Sequence, residues 1–150
     1  MYLDQELVIA VASSSVVAGI VAGMVSLRTN ARNIKVANVT RERAKWRNKV
    51  RDRALEIHRA ISEGKDLAEL HLQLALIINP LDREDRAILR LIEKPPAQES
   101  REATLRELTE RVSLLLKHDW ERAKWESSSI FGRKPLRPKR VKFEDFKRNA

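Results

Sequence analysis

The chain has 150 residues, enough for one modest domain, with 34% charged, 43% hydrophobic and 5% aromatic residues and no Cys. That composition excludes a disulfide scaffold, a cysteine-based zinc site and a thiol nucleophile, and it leaves few stacking platforms for single-stranded nucleic acid. The formal charge of +9 is unevenly placed: every Lys and Arg lies at or beyond Arg28, so residues 1–27 carry −2 and the remainder +11.

The first predicted element is Leu7–Leu27, 21 residues without a charge. At about 1.5 Å per residue it matches a bilayer core roughly 30 Å thick, which points to a single transmembrane helix. A cleaved signal peptide would start with a basic segment, whereas residues 1–6 carry Asp4 and Glu6. A buried soluble helix apolar on all faces would need a larger protein around it. Basic residues flanking a span stay cytoplasmic. Arg28, Arg32, Lys35, Arg41 and Arg43 all follow the run, so residues 1–6 are expected outside and the rest inside. Ser15, Gly19 and Gly23 recur every four residues, a small-residue face that suits helix association in lipid.

No Gly or Pro occurs between Met24 and Gly64, so the helix is predicted to continue out of the membrane. Val36, Val39, Trp46, Val50, Ala54, Ile57 and Ile61 share one face, and Gly64 ends the element as a C′ glycine. Asn30, Asn33, Asn38 and Thr40 are weak helix formers, so a break near 29–40 is the alternative. A second helix is expected over Leu67–Ile78, opened by an Asp66/Glu69 capping box and buried on most faces, with Leu74 at its centre. A third should begin with Asn79 as cap and Pro80 at the first position, bury Leu81, Ile88, Leu89 and Ile92, and stop before Pro95-Pro96. A fourth should start near Ser100 with a core face of Leu105, Leu108, Val112, Leu115, Leu116 and Trp120. The expected fold is all-α: a transmembrane helix continuing into an antiparallel helical bundle over 28–126.

Residues 127–150 change character, with a Ser run, two prolines and a net charge of +6 over 133–150. They read as a flexible basic tail in which Arg133, Lys134, Arg137, Lys139, Arg140 and Lys142 would meet anionic lipid headgroups. Nucleic acid is the weaker candidate partner, because the basic stretches adjoin a membrane helix.

The pentapeptide Glu42-Arg43-Ala44-Lys45-Trp46 recurs as Glu121-Arg122-Ala123-Lys124-Trp125. The flanks do not match, so packing rather than duplication is the expected cause, with Trp46 and Trp125 closing the bundle end through amphipathic rings and Trp120 anchoring the core face of the fourth helix. His58, His71 and His118 lack the Glu-x-x-His spacing of a bundle metal site, and no nucleophile elbow or phosphate loop occurs. No metal, cofactor or catalysis is expected.

The stretches Asn38–Arg51, Leu76–Asp82 and Lys117–Glu121, placed after an N-terminal apolar span, resemble a group of small bacterial single-pass membrane proteins of uncharacterised function. The likeness covers residues 7–125. It implies a bacterial or prophage origin and an inner-membrane anchor, and carries no chemistry. The expected role is a self-associating scaffold, or one that binds another protein. The competing readings are a pore-forming phage or defence effector and a membrane-tethered nucleic-acid binder.

Overall fold

The computed structural model describes the backbone of residues 5–127 and 136–149, and the side chains of 14–31, 33–34, 36–127 and 136–149. Among the described residues all regular structure is helical: α1 (Gln5–Glu63), α2 (Ala68–Ala75), α3 (Arg83–Leu91), a 3-10 turn (Gln98–Ser100), α4 (Arg101–Ser127) and α5 (Phe143–Asn149). The chain divides into two compact units, 1–39 and 40–150. α1 is assigned without interruption, as the absence of Gly and Pro between Met24 and Gly64 predicts, and the alternative of a break near 29–40 is not seen. Among the described residues no helix is long and apolar enough to cross a membrane. The side chains of 7–13, one third of the predicted span, lie outside the described residues.

In the first unit, every large apolar side chain from Val16 to Leu27 is at least 54% exposed. No fold within this unit covers them.

The second unit has a true core. Val50, Ile57 and Ile61 of α1, Leu67, Leu74 and Ile78 around α2, Ile88 and Ile92 at α3, and Leu108, Val112 and Leu115 of α4 form one buried cluster. The α1 and α4 segments run antiparallel: Arg43 meets Glu126 at one end, and Gly64 lies against Arg101 at the other. As expected, Gly64 closes α1 in a left-handed conformation with φ 67°. Lys65 N–H donates to Ala60 O and Gly64 N–H to Ile61 O, the paired bonds of a Schellman ending. Val39 falls outside the core at 40% exposure.

Four local expectations fail. The Asp66/Glu69 capping box does not form. Leu67 occupies the cap of α2 without a side-chain bond, and Glu69 accepts instead from Gln73. Nor is α2 the most buried helix: Leu74 is 1% exposed, but Leu72 and Leu76 stand at 59% and 80%. The apolar stretch also ends early. Ile77 N–H bonds back three residues to Leu74 O, a tightened last turn ahead of Asn79-Pro80, where the residue before proline avoids helical backbone.

The fourth lies at the start of α3. Asp82, not Asn79, is its cap: its carboxylate accepts from Glu84 N–H at 2.8 Å and Asp85 N–H at 3.2 Å. Asn79 uses its side chain locally, accepting from Leu81 N–H at 3.0 Å. Pro80 thus sits exposed in a turn that precedes the helix, and Leu81 projects from that turn at 87% exposure rather than entering the core.

Candidate interaction surface

The two copies of the Glu-Arg-Ala-Lys-Trp pentapeptide face each other across the α1–α4 pair. Each forms the same local ion pair, Lys45 to Glu42 and Lys124 to Glu121, both at 2.8 Å. Their arginines converge on shared carboxylates. Arg43 reaches Asp119 at 3.3 Å and Glu126 at 2.8 Å, Arg47 reaches Asp119 at 2.9 Å, and Arg122 reaches Glu126 at 3.3 Å. Arg47 is only 8% exposed. A buried guanidinium left unpaired is costly, and the Asp119 carboxylate offsets that cost. The repeat therefore serves helix pairing.

This arrangement corrects two predicted roles. Arg43, predicted as a membrane-proximal basic residue, has its fork spent on Asp119 and Glu126. Trp120 was expected in the core, yet it is 50% exposed and lies as a lid, with Arg47 at 5.4 Å and Lys124 at 5.9 Å from its ring centroid. Its polar surroundings and cation–π contacts replace apolar burial. Trp46 does close the core as expected. It packs against the buried cluster, and its indole N–H donates to Ile77 O at 2.8 Å. Trp125 is half-buried.

The largest correction concerns the basic tail. Arg133 and Lys134 lie outside the described residues. From 136 onward the segment folds back, and α5 docks on α3 and α4. Phe143 is 8% exposed, with the Arg111 guanidinium 3.9 Å from its ring centroid and Phe146 stacked obliquely beside it at 6.3 Å. Arg140 Nη1 lies 2.6 Å from both Asp82 Oδ1 and Asp85 Oδ1. Lys147 pairs with Glu110 at 2.7 Å and Arg83 with Glu144 at 2.9 Å. The physical reason is the acidic start of α3. Asp85 is buried at 3% exposure, and Arg140 supplies the opposite charge that such burial requires. Arg137, Lys139 and Lys142 remain exposed.

His118 lies near this dock, and burial holds its pKa below the usual 6.5, with further lowering from Arg140 and Arg122. A histidine that binds its proton less readily when folded makes the fold lose stability as pH falls through the unfolded-state value. Melting temperature is therefore expected to drop between pH 7.5 and 5.5, and His118→Gln should flatten that slope; an unchanged slope in the variant would assign the dependence to other groups.

In the first unit, Gly19 and Gly23 are exposed, and a Cβ built on either meets no atom within 4 Å. Ser15 and Arg28 are exposed there as well, and Arg41 is exposed in the second unit. The side chains of Arg32 and Lys35 lie outside the described residues.

Sequence reasoning missed Asp119, Arg47 and the Asp82/Asp85 dock. The first two only flank the repeated pentapeptide, which marked Arg43 and Arg122 but not their neighbours. No local signal marked the third. No protein-family model, curated protein or solved structure matches this chain.

Proposed function

We propose that the chain is a single-pass membrane-anchored scaffold without catalysis of its own. In this reading Leu7–Leu27 crosses a bacterial inner membrane with residues 1–6 outside. The helical unit from Thr40 onward is cytoplasmic and associates with a second copy or another protein. Arg28, Arg32 and Lys35 meet anionic headgroups beside the span.

The observation that carries the reading is the uncharged 21-residue run, after which the first four charged residues, Arg28, Arg32, Lys35 and Arg41, are all basic. The run reaches bilayer length, roughly 30 Å, once residues 7–13 are counted with it. Its exposed valines, Ile20, Met24 and Leu27 add support. Apolar area left in water forgoes about 25 cal/mol per Å², a cost that lipid or a partner helix removes. The resemblance to small single-pass proteins points the same way.

Self-association is assigned to Ser15, Gly19 and Gly23, where small side chains permit close backbone approach. Cross-linking in native membranes tests both halves of the proposal. Gly19→Ile with Gly23→Ile adds bulk at positions where a Cβ meets no atom within 4 Å. The dimer band is expected to fall several-fold while the chain stays in the carbonate-resistant membrane fraction. An unchanged dimer would move assembly to another surface, and extraction of the wild-type chain by carbonate would remove the anchor.

A further inference from the structure

The α2–α3 segment carries two exposed features that the core does not use. Leu72 and Leu76 lie one turn apart at 59% and 80% exposure, and Leu81 stands out of the connecting turn at 87%. On α3, Arg83, Arg86 and Arg90 line an open depression floored by Leu89. Their i, i+3, i+7 spacing places them on one side of the helix, opposite the buried Asp85 and Ile88. Arg83 shares Glu144, but Arg86 and Arg90 have no acidic partner among the described residues.

We propose that this hairpin face is a membrane-contact surface, on which Leu76 and Leu81 enter the interfacial layer of an anionic bilayer while Arg83, Arg86 and Arg90 bind lipid phosphates. The proposal rests on the lipid-partner reading above and moves its main contact from the C-terminal segment, whose Arg140 is already paired, to α3.

Charge and polarity together select this occupant. An acidic peptide or a nucleic acid would satisfy the arginines but leave three leucines in water. A second copy related by a two-fold axis would cover the leucines but set one arginine face against another. The bilayer interface accepts both: apolar side chains reach the acyl boundary, and basic ones meet phosphate at the headgroup level. Pro80 keeps the turn between the helices short, so Leu81 stays beside the first arginine.

The absence of Cys from the chain makes the test clean. The full chain carrying Leu81→Cys, labelled with an environment-sensitive fluorophore, is mixed with vesicles of phosphatidylcholine alone or of phosphatidylcholine with phosphatidylglycerol. Leu55→Cys is the control, since residue 55 is 57% exposed and lines a separate depression between α1 and α4. The label at 81 should shift to the blue only with anionic vesicles, and the shift should weaken as salt rises. Arg86→Gln with Arg90→Gln should weaken insertion roughly fivefold per arginine, so about twenty-five-fold for the pair. No shift at 81, or an equal shift on both vesicle types, would overturn the proposal. Flotation with phosphatidylcholine vesicles reports the anchor separately. A chain that fails to float there but still shows the anionic-dependent shift loses the span and keeps the hairpin surface.

Discussion

Replacing Asp119 by Ala is expected to lower the melting temperature of the helical unit by about 10–15 °C, from a loss of about 3 kcal/mol. The carboxylate holds Arg47 at 2.9 Å and Arg43 at 3.3 Å, and Arg47 is 8% exposed. Arg43 keeps Glu126 when Asp119 is removed, but Arg47 keeps only the Trp120 ring at 5.4 Å. The cost arises from the stranded cation more than from the lost attraction. The double change Arg47→Met with Asp119→Leu should therefore recover most of the loss. Thermal melting of the full chain in mild detergent, followed through tryptophan fluorescence, reads this directly, because all three tryptophans sit at or beyond residue 46. A double variant no more stable than the single one would show that the pair's geometry, rather than desolvation, dominates.

The second large effect is expected at Leu74. It is 1% exposed inside the cluster that joins α1, α2, α3 and α4. Leu74→Ala removes buried methyl groups and leaves a cavity, a loss of about 2–5 kcal/mol against a typical total of about 5–15 kcal/mol. Leu76→Ala, two residues away, should change stability by less than about 0.5 kcal/mol because its side chain is 80% exposed. Equal effects at the two positions would mean that α2 is rotated from the orientation described.

Much of the fold was legible because its signals are local. Helical period put Val50, Ile57 and Ile61 on one face of α1 and Leu108, Val112 and Leu115 on one face of α4, and all six are buried. Gly64 and Pro95-Pro96 mark ends through backbone restrictions that need no partner. The errors came where two local signals competed or a distant partner decided. Asn79 and Asp82 both suit a helix cap. Asp82 prevailed because Asn79 closes its own turn with Leu81 and precedes a proline. An apolar period cannot say that Leu72 and Leu76 lack a facing helix. The C-terminal segment looked like a solvated charge run, since Arg140 finds Asp82 58 residues away and Phe143 finds Arg111 on α4. Composition does not encode such pairings. The candidate surfaces follow the same division: the small-residue face was visible as a spacing, while the arginine-lined hairpin face emerged only when burial showed which leucines were left out.

On the proposed reading Leu7–Leu27 spans a membrane with the helical unit on the cytoplasmic side. Single cysteines introduced into the Cys-free chain as Tyr2→Cys and, separately, Asn149→Cys allow it to be tested with a membrane-impermeant maleimide on intact cells. The account predicts labelling at position 2 without cell lysis and at position 149 only after lysis, because the basic residues that follow the run resist translocation. Labelling at position 149 in intact cells, or protection of both positions until lysis, would contradict it.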